Sequence, residues 1–390
     1  MKGMKTLRSG RNRRKWIYVL LLMGLLGLSG CGSPSSASVE MSSQTELVKT
    51  GSMELQYAEN FAVDYYEDGY KMLTTLPDSN RYLLVPEGQP VPRGLDADVS
   101  ILQEPLQNIY LVASGVMDMF ASLDAVGQIR FSGQKQENWY IQTAKDAMAA
   151  GDMIYAGKYS KPDYELLVSE GCDLAIENRM ITHSPEVVEM LQSFDIPVMI
   201  EYSSYEQHPL GKVEWVKFFG ALTGREAEAE EAFAEQTEIL EEVESGEKTG
   251  KTIAFFYVTS NGLIQVRQST DYIPKLIELA GGRYIFEDLE DSGSGRSTLN
   301  MQIEDFYAGA KDADILIYNS SIDGGVTTLD ELIGKCNILK DFKALQEGQV
   351  YCTTNDMYQQ SMAIGYLLQD MHTVLTDDDT AKLRYLFLLQ

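Results

Sequence analysis

The sequence of 390 residues is poor in positive charge and in histidine, and each shortage excludes a class of protein or site. It has 32 Lys and Arg against 58 Asp and Glu, which gives a formal net charge of −26. A surface this acidic repels phosphate, so a nucleic-acid partner is not expected. There are three histidines, and no two of them have the spacing of metal ligands, so neither a bound metal ion nor another cofactor is expected.

Long apolar runs are also missing, except at the N-terminus. Residues 1–15 hold seven cations and no acid, residues 16–28 are almost entirely apolar, and small residues follow. This is the layout of a secretory signal peptide, which we place at residues 1–30. The apolar run is shorter than the roughly 20 residues that span a bilayer. An anchor helix that is never cleaved remains the alternative.

The segment Leu28-Ser29-Gly30-Cys31 resembles the lipobox of bacterial lipoproteins. The resemblance implies that Cys31 is acylated and that its lipid holds the protein on the extracytoplasmic face of the cell membrane. Residues 31–50 are rich in Ser, Thr and Gly and are predicted to form a flexible tether.

Cysteine is scarce in the remaining chain. Three cysteines follow Cys31, namely Cys172, Cys336 and Cys352. This is an odd number, and no two of them have C-x-x-C spacing. A Cys336–Cys352 disulfide is compatible with the sequence, but three buried thiols are the favoured interpretation.

Apolar segments of strand and helix type alternate along the chain and predict an α/β fold with two Rossmann-like lobes and mostly parallel sheets. The N-terminal lobe is predicted at residues 51–207 and the C-terminal lobe at residues 247–390, closing with a helix over residues 356–375. Residues 208–246 would connect the lobes.

The connecting region contains a segment, Arg225–Glu244, that lacks Gly and Pro and has apolar residues at helical spacing. A helix of this length spans about 30 Å, roughly the width of a small domain. We predict one long rigid α-helix that joins the lobes and allows only a small closure between them. A surface helix of one lobe is the alternative.

Several short segments occur in a characteristic order: Tyr155–Gly157, Pro162–Leu167, Cys172–Ile176, His208–Lys217, Leu222–Ala227, Leu276–Gly282, Glu304–Tyr307, Ala313–Ile317 and Gln349–Tyr351. Together they resemble the lipoprotein substrate-binding components of ABC importers for iron–siderophore, haem and cobalamin, over about residues 57–377. The resemblance implies a monomeric, non-enzymatic receptor that captures a metal chelate between its lobes. Its partners would be an ABC permease and the ATPase subunits.

Two glutamates match positions that meet basic residues of the permease in this family. They are Glu165 and Glu304, one in each predicted lobe, and charge complementarity would orient docking. Glu304 lies ten residues before Asp314, whereas Glu165 lies eight before Asp173, which predicts a longer helix after Glu304. Ordinary solvated glutamates are the alternative.

Ligands of open α/β sheets bind beyond the carboxyl ends of the strands. The candidate ligand-binding residues near these ends are Arg267, Trp139, Tyr140, Met180, His183, Tyr202, Asn261, Asn319 and Tyr358. Arg267 could bind a carboxylate, phosphate or catecholate, or pair with a nearby acid. Trp139 could stack on a flat ligand or pack in the core, and His183 with Met180 could supply a haem axial ligand.

Signatures of common enzymes are absent from the sequence, including the P-loop, G-x-S-x-G and H-E-x-x-H. An anchored hydrolase or redox enzyme on a similar two-lobed fold stays open as an alternative, as does a structural adhesin. Ferric siderophore, haem and corrinoid all stay open as cargo. An organic ferric chelate is favoured because candidates for an axial ligand are few.

Overall fold

The computed structural model describes residues 47–289, 297–320, 325–377 and 380–390. The predicted signal peptide, Cys31 and most of the predicted tether lie outside the described residues. The described residues belong to one compact unit. Within it we call residues 47–207 the N-terminal half and residues 247–390 the C-terminal half.

The N-terminal half begins with a sheet in the order β1-β2-β3-β4-β5. Its strands are β1 Lys49–Ser52, β2 Phe61–Tyr66, β3 Lys71–Thr75, β4 Asn80–Val85 and β5 Val99–Gln103. The pairings are antiparallel except that of β4 with β5. The first strand starts before residue 50, where the predicted tether was expected to end.

A second sheet of the N-terminal half, in the order β12-β11-β6-β7-β8, is parallel throughout, as predicted. Its strands are β6 Ile109–Leu111, β7 Ile129–Ser132, β8 Ile154–Tyr155, β11 Leu174–Asn178 and β12 Val198–Glu201, and a small ladder joins β9 Gly157–Lys158 to β10 Lys161–Pro162. The helices are α1 Val116–Ser122, α2 Gln142–Ala150, α3 Tyr164–Ser169 and α4 Pro185–Ser193.

Two helices carry the chain from one half to the other: α5 Pro209–Thr223 and α6 Glu226–Glu244. They are separated by Gly224, whose φ of 71° is left-handed and suits glycine at a helix end. The helices approach each other closely, because a Cβ on Gly220 would lie 2.6 Å from the Cβ of Ala229. Within the described ranges, no helix combines the length and apolar content that a bilayer crossing requires.

The sheet of the C-terminal half has the order β16-β14-β13-β17-β18-β19, with β15 beside β13. Its elements are β13 Thr252–Val258, β14 Ile264–Arg267, α7 Tyr272–Leu279, β15 Arg283–Tyr284, β16 Thr298–Met301, α8 Ile303–Ala310, β17 Ile315–Tyr318, α9 Leu329–Lys335, α10 Lys343–Gln346, β18 Val350–Thr353, α11 Ile364–Thr376 and β19 Leu386–Leu388. The centre is parallel as predicted, whereas β14, β16 and β19 pair antiparallel. A tight turn after β13 causes the first reversal, since a short hairpin can only join antiparallel strands.

The linking helices lie at the centre of the compact unit. All residues of α5 from Pro209 to Leu222 are buried, and one continuous apolar core joins the second N-terminal sheet, α5, α6, α7 and α11. The predicted helix over residues 225–244 is confirmed as α6, which contacts α1 on one side and α7 and α11 on the other. These contacts favour a bridging helix over a surface helix of one half; its rigidity stays a prediction.

Two buried carboxylates fix the N-terminal sheet to α5. Glu214 accepts hydrogen bonds from the backbone N–H groups of Tyr57 and Ala58, both at 2.8 Å. Glu206 accepts from the N–H of Asn60 at 3.0 Å and from the indole of Trp215 at 2.8 Å. Charge-assisted bonds of this kind are stronger than neutral ones, so they hold the chain entering β2 against the helix.

The closing helix starts later than the sequence predicts, because residues 356–363 cross to the N-terminal half. We call these residues the crossing segment. The Met362 N–H donates to Asp118 at 2.7 Å, and the Gln359 side chain bonds the Asn138 carbonyl and the Tyr140 N–H, both at 2.8 Å. Because polar groups of the segment form hydrogen bonds with the N-terminal half, the regular helix begins only at Ile364.

Among the described residues, Cys172, Cys336 and Cys352 are thiols and form no disulfide. Cys336 and Cys352 are buried in the apolar core of the C-terminal half, and Cys172 is half-buried. The buried-thiol interpretation is confirmed for Cys336 and Cys352.

Candidate ligand cleft between the two halves

Two adjoining grooves lie where the halves meet. The first, of about 380 Å³, is lined by Tyr57, Glu59, Gln207, His208, Ser269, Thr270, Asp271 and Lys275. The second, of about 170 Å³, is lined by Ser204, Tyr205, Glu206, Gln207, Thr270, Asp271 and Ser297. They share Gln207, Thr270 and Asp271, so they form one cleft between the residues after β12 and those after β14.

Three predicted ligand-binding residues meet beside this cleft, next to Asp271, which lines it. Arg267, only 7% exposed, donates through Nη2 to the Tyr358 hydroxyl. The amide of Asn319 donates to the same hydroxyl at 2.6 Å. Arg267 also pairs with Asp271, with 3.3 Å between Nη1 and Oδ2, so the acid pairing considered from the sequence is present.

Several elements hold these four side chains, Arg267, Asn319, Tyr358 and Asp271, which we call the Arg267 cluster. Arg267 ends β14, and its backbone N–H and carbonyl both bond the hydroxyl of Tyr284, at 3.0 and 2.9 Å. Asp271 caps α7 by accepting from the Ile273 N–H at 2.9 Å. Burial raises the pKa of Asp271 although Arg267 opposes the shift. Burial lowers the pKa of Arg267, but Tyr358 and Asp271 outweigh it, and the net pKa shift is upward.

The N-terminal side is more aromatic. Tyr202, at the end of β12, is mostly buried and donates to Asp78 at 3.2 Å. Its ring meets that of Tyr205 edge-on at 6.3 Å, and the Arg179 guanidinium lies 4.5 Å from the Tyr205 ring centre. Tyr205 lines the cleft, and the buried Tyr202 packs against it.

Met180 and His183 lie in a short 3-10 helix, Arg179–His183, directly after β11. Both side chains are exposed, Met180 to 49%. They are accessible at the carboxyl end of the parallel sheet. Within the described ranges, no group of three or more His, Cys, Asp or Glu side chains lies close enough together to hold a metal ion.

Three predicted residues lie apart from the Arg267 cluster. Trp139 is fully buried and its indole donates to Ser132 at 3.0 Å, so the structure places it in the core and not on a ligand surface. This corrects the expectation of stacking. Its neighbour Tyr140 is 47% exposed. Asn261 lies in the exposed turn after β13, where Thr259 donates to it at 2.6 Å.

Lys212 was not identified from the sequence. It lies in the first turn of α5 and is 5% exposed, with its ammonium 4.6 Å from the centre of the Tyr272 ring. Asp271 and Tyr205 were missed as well. A signal for Lys212 was available, because it is a cation within a helix whose neighbours are largely apolar.

Glu165 and Glu304 occupy equivalent places in the two halves. Both are exposed, and each is the second residue of its helix, α3 or α8. The prediction of a longer second helix is confirmed, since α8 has 8 residues and α3 has 6. The two halves therefore place an exposed glutamate at the same position of an equivalent helix.

The acids that precede the following strands are equivalent too. Asp173 accepts from the N–H groups of Gln107 and Asn108 at 3.0 and 2.9 Å. Asp314 accepts from the N–H and hydroxyl of Thr252 at 2.7 and 2.9 Å. In each half, therefore, a carboxylate ties the start of one strand to the segment that enters its neighbour.

Comparison with known proteins finds similar protein sequences and similar structures. No family model matches the chain. An uncharacterized lipoprotein of Methanocaldococcus jannaschii is 24% identical over 395 residues, covering 92% of this chain and 92% of the relative. A possible iron-binding (periplasmic solute-binding) protein from Staphylococcus epidermidis superposes with a TM-score of 0.54 at 17% identity, over 69% of this chain and 98% of that one. A periplasmic haem-binding protein of Vibrio cholerae gives a TM-score of 0.54 at 14% identity, over 68% and 98%.

These similarities define the class of fold. The chain has the two-lobed α/β fold of periplasmic solute-binding proteins, which confirms the fold implied by the sequence resemblance. At this level of identity the structural likeness establishes the fold alone.

Proposed function

We propose that this protein is a lipid-anchored extracytoplasmic receptor that captures a metal chelate in the cleft and delivers it to an ABC permease. The observation that carries the proposal is the meeting of Arg267, Asn319 and Tyr358 in one hydrogen-bonded cluster where the halves face each other. The solute-binding fold and the lipoprotein relative support it.

The cleft matches the chemistry of an organic chelate. Its lining combines polar and charged side chains, among them His208, Asp271 and Lys275, with the rings of Tyr57 and Tyr205. A ligand pocket typically combines apolar or aromatic walls with a few convergent polar groups. Such a cleft would hold the organic shell of a ferric siderophore, a haem or a corrinoid, with the metal as part of the cargo.

Docking and anchoring belong to the same proposal. Glu165 and Glu304 would meet basic side chains of the permease, because both are exposed at matching places in the two halves. Acylated Cys31 would hold the receptor at the membrane. The ATPase subunits would act through the permease.

A thermal-shift panel tests ligand capture. The full chain in detergent would be screened with haem, cobalamin and several ferric chelates, and one chelate class is expected to raise its melting temperature without being consumed. Arg267→Ala should reduce that shift. The matched control is Arg283→Ala, since Arg283 is 57% exposed and pairs with Glu287 on the surface. If no chelate raises the melting temperature, or if the ligand is turned over, the receptor function is refuted.

A further inference from the structure

A separate groove lies on α6, the long linking helix, and it shares no lining residue with the cleft. Its volume is about 360 Å³. Five of its lining residues belong to α6, and the others are Ser122 at the end of α1, Met362 in the crossing segment and Tyr366 in α11. The groove therefore lies where α6 packs against both halves of the protein.

The α6 wall of this groove is acidic. Its residues recur at helical spacing on one face, and three of the five are Glu228, Glu231 and Glu235. Glu228 pairs with Arg225 at 3.0 Å. Among the described residues, Glu231 has no ion-pair or hydrogen-bond partner, and Glu235 accepts only from the Tyr366 hydroxyl, at 2.9 Å. Like charges three or four residues apart on a helix repel each other, so this wall carries negative charge that the protein itself leaves without a counter-charge.

Basic side chains are missing from α6 itself, whose 19 residues are rich in Glu and include no Lys or Arg. Within the described part of the chain, none lines the groove either. Arg384 stacks on the Tyr366 ring, 3.8 Å from its centre, but is not part of the lining. A ligand of this groove is therefore expected to carry positive charge.

The groove also offers hydrogen-bond donors. Gln236 lines it, although the residue is only 3% exposed. Its Oε1 accepts from the Gly365 N–H at 2.9 Å, which fixes the orientation of the amide, because a backbone N–H can only donate. The Nε2 group has no partner among the described residues. A buried donor without an acceptor costs free energy, so a ligand that also carries an acceptor oxygen would stabilise this arrangement.

A polypeptide with basic side chains supplies both kinds of group. Its Lys or Arg side chains would pair with Glu231 and Glu235, and a backbone carbonyl would accept from Gln236 Nε2. The spacing agrees, since Glu231 and Glu235 are about 6 Å apart along the helix axis, and alternate side chains of an extended chain are roughly 6.6 Å apart. Ala232 and Met362 offer apolar surface for the methylene stems of such side chains.

We propose that this groove is a docking site for an extended segment of a partner protein in which basic residues alternate with other residues. The segment would contact α1, the crossing segment and α11 together, so its binding should tie the two halves to each other. The proposal does not depend on the cargo, since no residue that lines the cleft takes part.

The test titrates fluorescently labelled peptides into the full chain in detergent and follows their anisotropy. The probes are an alternating Lys-Ser-Lys-Ser-Lys peptide, a Lys-Lys-Lys-Ser-Ser peptide of the same composition and, as unlabelled competitor, spermidine, which has amino groups but no carbonyl. The variants are Glu231→Gln/Glu235→Gln and, as control, Glu241→Gln/Glu244→Gln. The control removes the same charge from exposed positions on the side of α6 that faces Tyr57.

The alternating peptide is expected to bind most tightly, with an affinity that falls as salt is added. Glu231→Gln/Glu235→Gln should weaken its binding about tenfold, since two surface ion pairs are lost. The control variant should stay within about twofold of wild type, because only screened long-range attraction changes. Bound peptide should also slow amide hydrogen exchange near Ser122 and in the crossing segment, and protection elsewhere would contradict the proposed seat.

Gln236→Glu separates hydrogen bonding from charge. The variant keeps an acceptor for the Gly365 N–H but replaces the Nε2 donors by an oxygen. At alkaline pH, where the introduced carboxyl is ionised, the alternating peptide should bind about fivefold more weakly despite the added negative charge. Tighter binding would show that the groove attracts cations without recognising a peptide, and would refute the proposal.

The remaining outcomes are equally decisive. Equal binding of the two peptides, equal weakening in the two double variants, or no binding at low salt would reduce the groove to part of an acidic surface and refute docking. Spermidine binding as tightly as the alternating peptide would assign the groove to a polyamine instead. If Gln236→Glu does not fold, the two peptides and the two double variants still test the proposal, because their substitutions lie at exposed positions.

Discussion

The two halves repeat one structural device but contribute different chemistry to the cleft. In each, an exposed glutamate opens a helix and a carboxylate then ties the next strand to its neighbour, as Asp173 and Asp314 show. At the cleft, the N-terminal half contributes the ring of Tyr205, whereas the C-terminal half contributes Asp271, which pairs with Arg267. The two halves therefore share a backbone arrangement, while the buried ion pair beside the cleft belongs to the C-terminal half.

The halves also differ in how they are joined to α5. The N-terminal sheet is held by the carboxylates of Glu206 and Glu214, which accept backbone N–H groups. On the C-terminal side, α7 and α11 pack against the linking helices through the apolar core. Polar substitutions in α5 should therefore loosen the N-terminal half first.

The largest effect is expected from Glu214→Ala. The change leaves the buried N–H groups of Tyr57 and Ala58 without an acceptor and should lower the free energy of unfolding by about 3 kcal/mol. Urea denaturation measures this. Glu230→Ala is the matched control. Both Glu214 and Glu230 pair with Lys217, at 3.6 and 3.0 Å, but Glu230 is 64% exposed. Equal losses in both variants would contradict the polar attachment of this half.

A smaller effect, dependent on pH, is expected at Glu177. It occupies the place in β11 that Tyr318 occupies in β17, and neither of its carboxylate oxygens has a partner among the described residues. Burial raises the pKa of Glu177 from 4.5 to about 8. The folded protein therefore holds this proton more tightly than the unfolded chain, so the contribution of Glu177 to stability is greatest below pH 4.5 and falls as the pH rises towards 8.

Glu177→Gln should remove this pH dependence and stabilise the protein by about 2 kcal/mol at alkaline pH relative to wild type. Denaturation curves across the pH range report the difference. Glu186→Gln, an exposed change on α4, serves as control and should keep the wild-type pH profile. A Glu177→Gln profile parallel to wild type would show that this carboxylate is not the titrating group.

A modest effect is expected from Gln359→Ala in the crossing segment. The variant loses two hydrogen bonds to the backbone of the N-terminal half, at Asn138 and Tyr140, which together contribute about 1 kcal/mol. Amide hydrogen exchange should then speed up at Tyr140. Gln142→Ala removes a side-chain bond to Asp146 within α2 and should leave this exchange unchanged. Unaltered exchange in Gln359→Ala would show that the Gln359 side chain does not hold the halves together.

Glu165→Ala and Glu304→Ala should have the smallest effect on the isolated protein. Both side chains are exposed, so the unfolding curve should not move, while association with proteoliposomes holding the cognate permease should weaken. Glu189→Ala, an exposed glutamate of α4, is the control. If the control weakens association as much as the other two, specific docking through the matched pair is disproved.

The sequence predicted the strand–helix order and the linking helix well because these follow from local periodicity. The linking helix, predicted at residues 225–244, was located almost to the residue as α6. The late start of α11 was missed because it depends on Asp118, more than 200 residues away in the chain. Antiparallel β14 was missed for a related reason, since pairing direction is set by the turn and not by the apolar pattern.

The candidate site was predicted in part for similar reasons. Arg267, Asn319 and Tyr358 follow strand ends, and the topology of an α/β sheet brings such positions together. Trp139 could not be separated from a ligand contact by residue type alone, because core and cleft both use tryptophan. Lys212 was missed because its sequence signal, a cation among apolar helix neighbours, does not show by itself that the side chain is buried between the two halves.

Hydrogen exchange with and without a stabilising ferric chelate tests the central claim, that a chelate is held between the two halves, most directly. The account predicts slower exchange in the presence of ligand on both sides of the cleft, around Tyr202–Tyr205 and around Arg267–Tyr272, together with the crossing segment. Protection confined to one half, or to residues remote from the cleft, would contradict it.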